Sequence, residues 1–209
     1  MKKYLFDFDG TLVDSMPTFV SVMLRILDEN NIVYSDDIVK IITPLGYGGT
    51  AKYFISMGLK MSQEEAVAKM NEYALYDYVN KIGEKPNVIK TLKALKESGN
   101  SLNVLTASPH AMLDPCLKRL GIFGLFDNVW SCDDFGTTKA DPEIYRMAAE
   151  KLGVPTEEVI FLDDNLGADK TAKSAGMTVY GVYDPSSAEF EGEIRAVCDR
   201  YIRDFSELL

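Results

Sequence analysis

Cysteine is scarce in this chain: Cys116, Cys132 and Cys198 are the only 3 in 209 residues, scattered and odd in number. That spacing supports neither a disulfide framework nor a CxxC metal site. No run approaches the roughly 20 apolar residues that a membrane span needs. Met1-Lys2-Lys3 leads straight into strand-like residues and then acids, which is not the pattern of a secretory leader. Basic residues are outnumbered 22 to 32, for a net charge of −10. This disfavours nucleic acid or an anionic membrane as partner. A small phosphorylated ligand stays open, because a metal and one or two placed cations can reverse the field locally. Internal repeats and low-complexity segments are also missing. These absences predict a reduced, cytoplasmic protein, monomeric or weakly dimeric. The hydrophobic content of 46% and charged content of 26% are those of an ordinary globular chain. Its length suffices for one core, or a core plus a small insert.

The most informative stretch is Tyr4-Leu5-Phe6-Asp7-Phe8-Asp9-Gly10-Thr11-Leu12-Val13-Asp14-Ser15. It opens as a short apolar, aromatic run of the kind that forms a buried strand. Asp7 and Asp9 are two residues apart, so in an extended chain both carboxylates share one face. Gly10 then permits a sharp turn. Burying one carboxylate beside another is unfavourable unless a cation or a shared proton relieves it. A strand ending this way is suited to a metal site and ill suited to a core.

Residues 15–86 read as helical. Ser15 and Pro17 start a helix carrying Met16, Phe19, Val20, Met23, Ile26 and Leu27 at helical spacing. Pro44–Ala51 reads as a small-residue loop, and Ser62 with Glu65 forms a capping box for a helix running to about Gly83. Tyr73, Tyr76 and Tyr78 within it read as packing. From Pro86 the pattern alternates between helices and strands. Helix 88–99 precedes strand 102–105, and helix 109–120 precedes strand 128–130. Helix 143–152 precedes strand 159–162, helix 166–175 precedes strand 178–182, and the tail forms a helix with a docked end. That alternation predicts an α/β fold, a doubly wound parallel sheet of Rossmann-like kind. The economical division is a core of 1–14 plus 87–209 with an inserted helical cap, 15–86, joined through linkers near Asp14–Pro17 and Gly83–Pro86. Ligands of such sheets bind at the carboxyl ends of the strands. There the sequence offers Asp7 and Asp9, then Thr106, then Lys139, then Asp163 and Asp164. Together they can supply a nucleophile, cation ligands, oxygen donors and a proton shuttle for phosphoryl transfer.

Asp7-Phe8-Asp9-Gly10-Thr11-Leu12-Val13-Asp14-Ser15 resembles the first motif of the haloacid dehalogenase superfamily in its phosphotransferase branch, near the phosphoglycolate phosphatase and beta-phosphoglucomutase group with a helical cap. The resemblance implies that Asp7 attacks phosphorus and that Asp9 is the general acid/base. It implies that Thr106, with the Ala107 amide, binds the transferring phosphoryl group, and that Lys139 neutralises nucleophile and phosphate. Relatives often carry Pro after that Lys, where this chain has Ala140. Phe161-Leu162-Asp163-Asp164 resembles the fourth motif. Counting back from Ala175-Gly176, Asp164 falls at the direct metal ligand, with Asp163 acting through water or by holding Lys139 and Asp169 as a further supporting acid. Asp7, Asp164 and the main-chain carbonyl of Asp9 then suit octahedral Mg²⁺. The implied enzyme is a Mg²⁺-dependent phosphatase of a small phosphorylated metabolite, working through an aspartyl-phosphate.

Three other features are weighed against this reading. Gly46-Tyr47-Gly48-Gly49-Thr50-Ala51 fits a dinucleotide pattern but lacks a strand–helix–strand setting. It reads instead as a specificity loop, with Tyr47 as a substrate contact. His110 follows Ser108-Pro109 near the expected phosphate site and is a second candidate contact. A sugar-phosphate mutase is the alternative activity, disfavoured because the first cap helix has no His. A phosphonatase is disfavoured because the first lysine after Ser15 is Lys40. A non-catalytic phosphate-sensing or partner-binding module is the alternative of another class, and intact Asp7, Asp9, Thr106, Lys139 and Asp164 argue against it.

Overall fold

The structure is a computed structural model that describes all 209 residues. The chain divides into two compact units, residues 1–14 with 83–209, and residues 15–82.

The first unit is built on a six-stranded, wholly parallel sheet. Its strands are β1 (Lys3–Phe6), β2 (Ser101–Thr106), β3 (Asn128–Ser131), β4 (Val159–Asp163), β5 (Thr178–Val182) and β6 (Arg200–Ile202), in the order β3-β2-β1-β4-β5-β6. β1 is central, flanked by β2 and β4, so Tyr4, Leu5 and Phe6 are buried on both faces of the sheet. That is why its sequence is continuously apolar and does not alternate. The chain leaves β1 for neighbours on either side, which places the topological switch point at the carboxyl end of β1. Helices α5 (Val88–Glu97), α6 (His110–Arg119), α7 (Glu143–Leu152), α8 (Leu166–Ser174) and α9 (Glu191–Val197) connect the strands; their numbers follow those of the four helices of the other unit. β6 is a finding beyond the sequence pattern, which shows only a docked end at Tyr201-Ile202. Three residues are too few to display a period. Its place is set by Gly181 of β5, where a side chain would stand 2.4 Å from Ile194 of α9 and 2.9 Å from Tyr201.

The second unit is helical: α1 (Met16–Glu29), α2 (Ile38–Ile42), α3 (Gly46–Ser56) and α4 (Gln63–Asn80). α4 starts at the capping box read from sequence, Ser62 Oγ accepting from the Glu65 amide at 3.1 Å and Glu65 from the Ser62 amide at 2.7 Å. The stretch expected as a loop, 44–51, is instead a short 3₁₀ turn followed by α3. Glycine disfavours helix by about 1 kcal/mol per residue, which is what made the loop reading attractive. Burial of Thr50, Ala51 and Phe54 along one face of α3 overrides it. Tyr47 therefore sits in a helical turn, its ring stacked on Phe19 at 5.1 Å.

The second boundary between units falls four residues before the expected 86/87 division. Gly83 O accepts from the Asp14 amide and Leu12 O from the Lys85 amide, each at 3.0 Å, and Glu84 bridges Val13 in antiparallel fashion. Residues 83–86 thus pair with the chain leaving β1 and belong to the sheet unit.

Candidate active site

The register of β1 against β4 aligns Phe6 with Leu162, so Asp7 and Asp163 emerge side by side at the carboxyl ends of adjacent strands. The Asp7 amide continues the ladder to Leu162 O at 2.8 Å. Lys139, in the turn before α7, reaches between them. Its ammonium, only 14% exposed, donates to Asp7 Oδ1 and, at 2.8 Å, to Asp163 Oδ2. The other oxygen of Asp163 accepts from the Asn165 amide at 2.8 Å. Asp164 accepts from the Thr11 hydroxyl at 3.1 Å. Carboxylate oxygens of Asp7, Asp163 and Asp164 all lie within 4.8 Å of one another, and all three residues are buried.

Burial pushes the Asp7 carboxyl well above the usual range; Lys139 opposes this, while Asp163, Asp164 and Asp9 add to it. Burial likewise pushes Asp164 up to about 8, with Asp163 and Asp184 adding to it. For Lys139, burial works to release its proton, but Asp163 and Asp7 outweigh it and hold the ammonium well above its ordinary value. Fully ionised, the three carboxylates would carry more negative charge than one ammonium can balance; burial together with this excess drives the Asp7 and Asp164 carboxyls upward. An all-oxygen donor set with that excess fits a hard dication such as Mg²⁺.

Asp9 is half-buried, its Oδ2 accepting from Ser108 Oγ at 2.5 Å. Thr106 is buried at the end of β2, its hydroxyl oxygen accepting from the Ser108 amide at 3.1 Å, and exposed Ala107 lies between the two. The sheet unit thus brings Asp7, Asp9, Lys139, Asp163 and Asp164 together, with Asp9 tied to the Thr106–Ser108 turn.

The sequence profile of the haloacid dehalogenase-like hydrolases matches residues 4–182, most of the chain and all of this constellation. The chain belongs to that family. Within it, the chain is 30% identical over 179 residues to a pyrophosphatase of Bacillus velezensis, covering 85% of this chain and 81% of that one. It is 28% identical over 184 residues to a phosphorylated carbohydrates phosphatase of Thermotoga maritima, covering 87% and 85%. A crystal structure assigned as a beta-phosphoglucomutase of Thermotoga maritima superposes with a TM-score of 0.86 at 25% identity, covering 100% of this chain and 97% of that one. This haloacid dehalogenase-like protein is a hydrolase of the phosphatase kind.

His110, expected as a substrate contact, and Asp169, expected as a supporting acid, have the following surroundings. His110 engages Asp114 Oδ1 and Asp134 Oδ2, both at 2.8 Å, and those two hydrogen bonds raise its pKa. With both ring nitrogens engaged, it ties the start of α6 to the turn after β3. Asp169 is fully buried but outside the acid cluster, accepting from Cys198 Sγ at 3.3 Å. Its Oδ1 has no hydrogen-bond partner. Burial first, then Asp163, pushes its carboxyl up to about 8. Ser108, Thr11 and Asn165 escaped the sequence reading as participants. Thr11 and Ser108 lie inside stretches the motifs already mark, so their hydroxyls were the available signal. Asn165 was readable as an N-cap: its side chain accepts from the Gly167 amide at 2.9 Å, opening α8 directly behind the paired acids.

Proposed function

We propose that this protein is a Mg²⁺-dependent phosphatase that hydrolyses a small phosphorylated metabolite through an aspartyl-phosphate on Asp7. The observation that carries this reading is the buried Asp7, aligned with Asp163, bound by Lys139 and adjacent to Asp164. A Asp7 carboxylate oxygen attacks phosphorus, the ester P–O bond breaks, and Asp9 gives its proton to the departing alkoxide oxygen. Water then attacks the same phosphorus while Asp9 takes its proton, and the bond to Asp7 breaks to release phosphate. Lys139 neutralises Asp7 and the phosphoryl oxygens, and the Thr106 hydroxyl and Ala107 amide bind those oxygens. Asp163, with both oxygens already engaged, fixes Lys139. Asp7, Asp164 and the Asp9 carbonyl would hold Mg²⁺, which when bound supplies positive charge against the phosphate. The helical unit, 15–82, serves as the cap that selects the rest of the substrate.

The test is phosphate release from a panel of phosphorylated metabolites and a generic aryl phosphate. Turnover should vanish with chelator and return with Mg²⁺. Asp7→Asn should lower kcat by several orders of magnitude while the variant still melts cooperatively. Rapid quenching with labelled substrate should leave phosphate on Asp7. Near-normal turnover by Asp7→Asn would refute the mechanism. A sugar-phosphate mutase is a second reading, favoured by the likeness to the Thermotoga maritima structure. It predicts isomer interconversion primed by a bisphosphate instead of steady phosphate release. The absence of His from α1 weighs against it.

A further inference from the structure

Besides Lys139, one other lysine is drawn into the sheet unit beside this acid-rich centre. Lys85 lies in the segment that re-enters the unit and pairs with the chain leaving β1. Its side chain is only 12% exposed. The ammonium donates to Gly10 O at 2.6 Å, to Tyr183 O at 2.5 Å and to Asp184 Oδ2 at 3.0 Å. Three donors meet three acceptors, which is the full capacity of an ammonium. Asp184 is itself buried and held from the other side by the Ser186 amide at 2.9 Å and hydroxyl at 2.6 Å. The ammonium's position is therefore determined by groups at the end of β5, and it delivers that position to Gly10.

Gly10 matters because of where it stands. Its φ is +72°, and a Cβ there would lie 2.6 Å from Asp164 Oδ2. The Gly10 peptide is thus pressed against Asp164 on one side and gripped through its carbonyl by Lys85. It directly follows Asp9 and closes a turn in which the Gly10 amide donates to Val13 O at 3.0 Å and the Leu12 amide to Phe8 O at 2.9 Å.

We propose that Lys85 is a positioning residue for the reaction: by holding the Gly10 carbonyl it keeps Gly10 against Asp164 and so fixes the turn that carries Asp9, and Asp184 orients it for that task. This rests on the reading of Asp9 as acid/base in phosphoryl transfer. A pair of buried charges can also act only as a stabilising tie, and removing one partner strands the other at a large cost in stability. The two roles separate in a double variant.

Lys85→Met should melt lower than the wild type, and Lys85→Met with Asp184→Asn should recover much of that loss because no charge is stranded. Activity should not recover with it. For the double variant, kcat on a generic aryl phosphate with saturating Mg²⁺ should stay about 10- to 100-fold below wild type while KM shifts less than about threefold, as for loss of a group that supports the site from behind. Hydrogen exchange read on the peptide spanning residues 8–13 should be faster than in the wild type, in chelator as well as in Mg²⁺. Return of kcat and of exchange protection to wild-type values in the double variant would overturn the proposal and leave a stabilising ion pair only. Should Lys85→Met alone fail to fold, the double variant carries the whole test. Should the wild type release no phosphate from any substrate, the phosphatase reading fails on its own. The exchange measurement then still decides whether Lys85 holds the turn, and unchanged protection at 8–13 refutes that.

Discussion

Asp169 is a carboxylic acid on the buried face of α8, where an apolar side chain would ordinarily pack. Its raised pKa has a sign that can be followed through linkage. In the unfolded chain the group releases its proton near the ordinary value of about 4, whereas in the fold it holds it up to about 8. Between those values the folded state binds the extra proton, so stability falls as pH rises across the window and levels off above it. Asp169→Asn keeps an oxygen to accept from Cys198 and carries no charge at any pH. The melting temperature of the variant should therefore exceed that of the wild type by an amount that grows from pH 5 to pH 8. The comparison belongs in chelator, so that metal binding does not enter. A difference that stays constant with pH would mean that Asp169 does not titrate in this window. The sequence marked this residue only as a supporting acid, because the fourth-motif spacing carries no information about Cys198, 29 residues away.

At the scale of elements, the strands other than β6 were legible. β1, β2 and β4 are short, mostly apolar runs that end in, or lead directly into, a residue chemically out of place in a core. Asp7, Thr106 and the Asp163-Asp164 pair announce themselves in that way. What stayed hidden is of two kinds. α3 was masked by its glycines, since local propensity argued against a helix that tertiary burial of Ala51 and Phe54 then secured. Lys85 was invisible because its partners, Gly10 and Asp184, lie 75 and 99 residues away. Gly10 itself was legible as a turn, though not as the wedge against Asp164. Gly10→Ala should meet both obstacles, a left-handed φ and a carboxylate within 3 Å. Gly153→Ala, with φ at +69° and open space around its Cα, meets only the first. Both variants should lose roughly 1–2 kcal/mol of stability from backbone strain. Only Gly10→Ala should also lose about 100-fold or more in kcat. Equal activity in the two variants would show that the Gly10–Asp164 approach is not needed for turnover.

At the scale of the whole molecule, the proposed division of labour follows the division of the chain. Every group proposed to touch the phosphoryl centre comes from residues 1–14 and 83–209, and the helical unit contributes none of them. In the proposed reading, selectivity for the rest of a substrate falls to residues 15–82. Within that unit the half-buried Phe19 and Tyr47 stack at 5.1 Å, an aromatic pair contributed by α1 and α3. A stacked pair presents a flat, apolar surface with a phenolic hydroxyl at one end, suited to discriminate among organic groups and indifferent to the phosphate they share. Tyr47→Ala should therefore reorder the panel of phosphorylated metabolites and raise KM for the preferred one. Hydrolysis of a small aryl phosphate should suffer much less, since its chemistry is supplied by the sheet unit. Tyr47→Phe, which keeps the stack, separates the ring from its hydroxyl: retained ranking assigns selectivity to the aromatic surface, and lost ranking assigns it to the phenol. Uniform loss on every substrate in Tyr47→Ala would make the pair part of the unit's own packing. No change on any substrate would place selectivity elsewhere among the helices.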